Sequence, residues 1–403
     1  MQIILLLSLL SLIFILFSIG LEIYMFNNAP FLKNQEFKKP LDTSISIIIP
    51  AFNEEKNIVR CLKALSSIKK PCLKMEVIVV DDLSDDNTIS RAENFKEDFI
   101  KNSIEMKVIS AGQRPKDKNW VGKNWACYIG TKNIDSEWLL FLDADVEVSE
   151  KCIFNALSKS QKDNIDLLSL APKVNCNCLA EWIVQPIMTS LLIIGFPISD
   201  TNNPKSSTAF AAGPFMLFKA NSYFKIGGHE GTFNKVVEDL ALAEKIKGSK
   251  LKLNFLIAIK DVSLNMYSDL SSLIEGWSKN WFLGVDKNIF KSLSASIFVL
   301  VSNTIPWLII IFCTTCYLLN VRFLVVNITF LISALAIASY GIKRYWLRIK
   351  YNIPNDLWYL NGIGGLIVTY ISFLSIYKTL TGIGWTWNCL LYTSDAADDS
   401  IRV

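Results

Sequence analysis

The sequence predicts an α/β domain, built on a wound and mostly parallel sheet, with transmembrane helices on both sides of it. Three observations predict this. First, three apolar runs of strand length each end in polar or acidic residues. Second, the stretches between the first two of those ends and the next strand, 56–68 and 88–100, carry apolar residues at helical spacing. Third, long apolar segments lie before and after the sheet-forming region.

In chain order, residues 3–26 are apolar apart from serines and Glu22, long enough to span a bilayer. They lack the basic start and small-residue cleavage site of a signal peptide. Lys33, Lys38 and Lys39 follow and place the next domain on the cytoplasmic side. The first strand, Ile45-Ser46-Ile47-Ile48-Ile49, runs into Pro50-Ala51-Phe52-Asn53-Glu54-Glu55. The second, Met75-Glu76-Val77-Ile78-Val79-Val80, runs into Asp81-Asp82-Leu83-Ser84-Asp85-Asp86. The third, Trp138-Leu139-Leu140-Phe141-Leu142, runs into Asp143-Ala144-Asp145. Residues 182–198 are apolar with Gln185, Pro186 and Pro197 among them, and read as a buried helix or as one lying on a membrane surface. Three further spans are expected at 293–319, 323–342 and 357–376, the last rich in glycine. The basic run 343–350 reads as a cytoplasmic connector. The resulting division is an anchor at 1–28, an α/β domain at 40–290 and a transmembrane region at 291–387. Residues 388–403 have no hydrophobic period and read as a non-native tail.

Composition narrows the function. Half the residues (51%) are hydrophobic and the mean hydropathy is +0.33, high for a soluble enzyme. The 41 basic and 37 acidic residues nearly balance, so no basic excess points to nucleic acid. Nine cysteines are scattered, and Cys176-Asn177-Cys178 has no neighbouring zinc ligands. A single histidine excludes any mechanism that needs two.

The strand ends carry the chemistry. Carboxylates are almost never buried without a partner, and at the carboxyl ends of parallel strands they face the ligand crevice. Alternate strand residues point the same way, so Asp143 and Asp145 can share one target. A hard divalent cation carrying a diphosphate suits them, because Mg²⁺ takes few carboxylates and keeps phosphate oxygens as ligands. By contrast, Asp85, Asp86 and Asn87 read as turn formers and caps for the helix that follows.

Pro50 to Glu55, Val80 to Thr88 and Asp143-Ala144-Asp145, in that order and spacing, resemble the successive motifs of family 2 glycosyltransferases. Gly122-Lys123-Asn124-Trp125-Ala126-Cys127, Ala212-Gly213-Pro214-Phe215, Gly227-Gly228-His229 and Leu273 to Lys279 resemble the membrane-bound, lipid-modifying branch of that family. The resemblance covers about 45–287 and implies a GT-A nucleotide-diphospho-sugar transferase fold. It also implies a nucleotide-diphosphate sugar donor, expected to be a UDP-sugar, a Mg²⁺ or Mn²⁺ cofactor, and an acceptor in the lipid bilayer such as a carotenoid acid or another isoprenoid.

The resemblance also implies roles. Asp145 would ligate the metal, and Asp143 would bind ribose or reach the metal through water. Asp81 would hold the base and Asp82 would order its loop. Pro50 and Asn53 would approach base or ribose, and Glu54 would hold ribose or cap a helix. Lys123, at a helix start, would meet the diphosphate. Asp239 would be the base that takes the acceptor proton, with Glu238 as the competitor, giving inversion. Gly228 and His229 would form the acceptor-side turn, although a lone histidine in a turn is more often structural. Trp277 would stack on acceptor or base and Lys279 would cover the diphosphate, unless their helix is simply interfacial. The stretch Glu275 to Trp281 lacks the arginine of processive members, which points to a single sugar addition. A polyprenyl-phosphate sugar transferase and a catalytically silent sugar-nucleotide binder are the alternatives.

Overall fold

The computed structural model describes residues 1–403 except 322, 354, 388, 389 and 393–403, so most of the expected tail at 388–403 lies outside the described residues. The chain divides into two compact units.

Among the described residues, one unit comprises 29–175 and 196–266, with 384–387 and 390–392. Its sheet has seven strands: β1 (Leu41–Ala51), β2 (Cys72–Asp81), β3 (Glu105–Ser110), β4 (Trp138–Leu142), β5 (Leu167–Ala171), β6 (Phe215–Lys219) and β7 (Leu253–Ile257). Their spatial order is β3-β2-β1-β4-β6-β5-β7. The first four run parallel, β6 is antiparallel to both neighbours, and β5 and β7 are parallel to each other. This is the mostly parallel, wound sheet expected from the sequence. The apolar runs are unbroken because both faces are covered. Ile47, Ile49, Val79 and Leu140 enter one buried cluster, while Ile48, Ile78, Val80 and Phe141 enter the other.

The register aligns Ala51 with Asp81 and Asp81 with Ser110, so the expected polar strand ends do meet at one edge. A second small sheet starts just past β4. Val146–Val148 pairs antiparallel with Val262–Leu264, which pairs parallel with Lys173–Val174. It fixes the chain immediately after Asp145.

The other unit gathers 1–28, 176–195 and 267–383. Among the described residues, four of its helices are long and apolar enough to cross a membrane: Gln2–Asn27, Ile289–Leu318, Leu324–Tyr351 and Trp358–Thr381. Two differences from the expected boundaries follow. Residues 176–195 and 267–290 belong with these helices and not with the sheet. The helix Leu179–Gly195 is apolar and half-buried, and its Gln185 accepts a hydrogen bond from Trp277 Nε1 at 3.1 Å. In the helix Leu270–Trp281, Glu275 pairs with Lys378 at 2.6 Å.

The second difference concerns the basic run. It is no connector: the helix Leu324–Tyr351 continues through it. Lys343 is buried there because it faces Glu22, with Nζ 2.6 Å from Oε1 and side-chain exposures of 8% and 1%. Ser18 and Ser190 hydroxyls also donate to the Glu22 carboxylate, at 2.8 and 3.3 Å. A buried charge left alone costs far more than a buried pair replaced whole. Glu22→Leu by itself should therefore destabilise the protein by about 3–5 kcal/mol, while Glu22→Leu with Lys343→Leu should be close to neutral. Denaturation in detergent of both variants beside the wild type measures the difference.

Candidate active site

The ends of β1 and β2 are laced together. Asn53, in left-handed conformation at φ 54°, donates its backbone N–H to Ser84 Oγ and accepts from the Asp85 N–H. The Glu54 N–H donates to Thr88 Oγ1, and Glu54 Oε2 accepts from Asn57 Nδ2 at 2.7 Å. Its backbone carbonyl also accepts from Ile58, so Glu54 closes the first turn before the helix Ile58–Ser66. Pro50, opposite Val80, carries β1 into this turn. Asp86 accepts from the Thr88 N–H two residues on, the bond of an Asx turn ahead of the helix Thr88–Glu93, whose cap position is held by Asn87 without a side-chain cap bond.

Asp81 is buried. Its Oδ2 accepts from the Ser84 N–H, while among the described residues Oδ1 has no hydrogen-bond partner. An orphaned buried acceptor of this kind is costly unless a ligand supplies a donor. Asp82 is also buried and pairs with Arg114 at 2.6 Å. That partner was missed by sequence reading, since nothing local links positions 82 and 114.

Helix Gly122–Gly130 starts beside these groups. Lys123 Nζ lies 2.6 Å from Asp143 Oδ1 and 2.8 Å from Glu238 Oε1. Burial opposes its charge, but Asp143 and then Glu238 hold the ammonium well above its ordinary pKa. Glu238 opens the helix Glu238–Gly248. Burial works against its ionisation, yet the Lys123 ammonium outweighs this and holds the carboxyl below its ordinary range. Asp239 behaves oppositely. Burial, then the charge of Glu238, push it up to about 6. Its Oδ2 accepts from the Gly213 N–H at 2.9 Å and its Oδ1 from the Leu240 N–H.

Asp145 lies on the same short turn as Asp143, between β4 and the small sheet. Burial, then the charges of Asp143 and Glu54, push its carboxyl well above the usual range. Crowded carboxylates of this kind suit a cation. Among the described residues no group of three or more His, Cys, Asp or Glu side chains surrounds one point. Asp143 and Asp145 are the carboxylates on this turn that could reach a hard divalent ion, which takes few carboxylates and keeps other oxygen ligands.

The structure thus brings together Asp143, Lys123, Glu238 and Asp239, with charge linking Asp145 and Glu54 to them. His229 has a different setting. It is fully buried, its ring nitrogen Nδ1 lies 2.8 Å from the Tyr223 hydroxyl, and the Phe141 ring is 4.5 Å away. Burial pulls its pKa down to about 3, so the ring is neutral at physiological pH. Gly228 precedes it at φ 47°, backed by the Tyr223 ring. Trp277 and Lys279 lie on the helix Leu270–Trp281 of the other unit.

The profile of Glycosyl transferase family 2 matches residues 46–227. The 4,4'-diaponeurosporenoate glycosyltransferase of Staphylococcus haemolyticus is 27% identical over 266 residues, 65% of this chain and 68% of that one. The enzyme of the same name from Staphylococcus aureus strain MRSA252 is 28% identical over 244 residues, and the alignment spans 60% of this chain and 61% of the relative. Among solved structures, a mannosyltransferase from Pyrobaculum calidifontis in complex with GDP-Man and Mn²⁺ is a distant likeness, with a TM-score of 0.49 and 13% identity over 93% of this chain and 99% of that one.

The tightness of the site can be tested at Gly122. A Cβ there would fall within contact distance of Asp82 Oδ2 and 2.7 Å from Arg114 Nη2. Gly122→Ala should displace that ion pair and cost about 1–3 kcal/mol, the usual range for overpacking. A lowered midpoint of thermal unfolding is the expected readout.

Proposed function

We propose that this chain, whose residues 46–227 match the profile of Glycosyl transferase family 2, is such an enzyme and transfers a single sugar from a nucleoside-diphosphate donor to a lipid acceptor, with inversion at the anomeric carbon. A uridine donor is the preferred reading, since the orphaned Asp81 Oδ1 can accept the ring N–H of uracil. An isoprenoid acceptor accords with the names of the Staphylococcus relatives. Four membrane-length helices suit an acceptor drawn from the bilayer, with the sheet domain on the cytoplasmic face.

The observation that carries this reading is the Lys123 bridge. It joins Asp143, beside the candidate metal ligand Asp145, to the helix end that bears Asp239. Donor-side charge and a candidate base therefore belong to one cluster. A bound Mg²⁺ or Mn²⁺, held by Asp145 with Asp143 at hand, would oppose the charge that develops on the departing diphosphate.

The remaining work falls to the chain's own residues. Lys123 presents an ammonium at a helix N-terminus, where a diphosphate is favoured. Asp239 accepts the proton of the acceptor hydroxyl as its oxygen attacks the anomeric carbon. The bond from that carbon to the diphosphate breaks, and its electron pair leaves with the nucleoside diphosphate. Glu238 is a poor base because Lys123 keeps it ionised and occupied, whereas Asp239, with a pKa of about 6, is matched to proton transfer near neutrality.

Two predictions follow from the base. Turnover with a hydroxyl acceptor should rise with pH through about 6 as Asp239 ionises, and then level. A profile flat from pH 5 to 8, a window that brackets that value, would remove Asp239 from the role. Asp239→Asn should lower turnover with a hydroxyl acceptor by about 10²–10⁴-fold. A carboxylate acceptor is already ionised above about pH 5, so with it the loss should be small. Nucleoside diphosphate release by the purified protein, with Mn²⁺, a panel of nucleotide sugars and each acceptor type, measures both. Asp145→Asn should abolish metal-dependent release with either acceptor, whereas a silent binding protein would release nothing even as wild type.

A further inference from the structure

The first turn of the helix Gly122–Gly130 connects the site in several directions at once. Gly122 backs the Asp82–Arg114 pair, and Lys123 joins Asp143 to Glu238. Trp125 Nε1 donates to the Ala111 carbonyl at 3.0 Å, just past the end of β3. Between them lies Asn124, which is fully buried.

The Asn124 amide faces three backbone carbonyls. Its Nδ2 lies 2.8 Å from Thr232 O, 3.3 Å from Phe233 O and 2.9 Å from Lys235 O. The Val121 N–H adds a bond of 2.9 Å to Phe233 O. The orientation of the amide is settled by chemistry, since turning its oxygen inward would set four acceptors against one another. The bonded carbonyls belong to the segment that leads directly into Glu238 and Asp239. Two successive residues of one turn thus hold the same approaching chain. Asn124 holds its backbone, and Lys123 holds the side chain at its end.

We infer that Asn124 is a positioning residue for the transfer reaction. By tying 232–235 to the turn that carries Lys123, it sets where the Asp239 carboxylate stands relative to Asp143. Asn124 is itself buried and acts only through these groups. The inference rests on the transferase reading above. It predicts a split that a merely stabilising asparagine would not give: loosening the strap moves the base-bearing helix start, while Asp81, Asp143 and Asp145 stay on the strand ends that bind donor.

The experiment uses the full-length protein in detergent, as wild type, Asn124→Ala and Asn124→Asp. Binding of uridine diphosphate and guanosine diphosphate, each with Mn²⁺, is measured by calorimetry. Turnover is followed by diphosphate release with lipid acceptor, and folding by thermal unfolding. Asn124→Ala should keep the wild-type diphosphate affinity within about threefold and lower kcat on the order of 10²-fold, the loss expected from a small misplacement of a catalytic group. Asn124→Asp is nearly isosteric but turns an oxygen toward three carbonyls, so its kcat should be lower still. Affinity and kcat falling together, an unchanged kcat, or variants that do not fold would each overturn the assignment. Wild-type protein that binds diphosphate but releases none from any donor would instead overturn the transferase reading, and this inference with it.

Discussion

The Lys123 ammonium is the interaction on which the site depends. Asp143 opens a strand-to-strand turn and Glu238 begins a helix that comes much later in the chain, and both are carboxylates in a largely buried setting. Without a cation between them they would repel at close range. One ammonium lies within 3 Å of each and offsets that repulsion. It also separates two adjacent carboxyls. Lys123 holds Glu238 below its ordinary range against burial, while burial and then the charge of Glu238 raise Asp239. Neighbouring acids driven apart in this way can divide structural and chemical duties.

The sheet makes that arrangement reachable. Because β1 to β4 run parallel, their polar ends collect on one side, and the register fixes how far each projects. The small sheet then fastens the chain just beyond Asp145, through the pairing of Val146–Val148 with Val262–Leu264. Antiparallel β6 runs next to β4 and is entered through Gly213 and Pro214. This brings the Gly213 N–H to Asp239. The polar ends of β1 and β2 thus lie on one side of β4, and the Gly213 turn that holds Asp239 on the other.

The parts of this fold that were legible in the sequence are those with local signals. Apolar runs ending in carboxylates announce parallel strands, and their alignment follows from the topology. Four apolar stretches announce membrane-length helices. What stayed illegible is pairing across distance. Nothing near Asp82 names Arg114, and nothing near Asn124 names the carbonyls of 232–235. The run 343–350 reads as a connector because its charges suggest water; only a carboxylate on the first helix reveals why Lys343 is buried. The same holds for His229. A histidine after two glycines looks like a ligand-facing turn residue, yet Phe141 and Tyr223 surround it, and only tertiary packing decides that. Residues 176–195 and 267–290 follow the apolar helices for a similar reason, since Trp277 and Glu275 find their partners on that side.

The Glu22–Lys343 pair has a consequence for how the protein is made. The two residues are 321 positions apart. At synthesis rates of about 5–20 residues per second, the first helix would exist for tens of seconds before its cation emerges from the ribosome. Over that interval the Glu22 carboxyl has, of the bond partners seen in the finished structure, only the hydroxyls of Ser18 on the same helix and, once it has been made, Ser190. The first helix is therefore complete in sequence long before it is complete in chemistry. The arrival of the helix Leu324–Tyr351 is a late event that the whole membrane bundle must await.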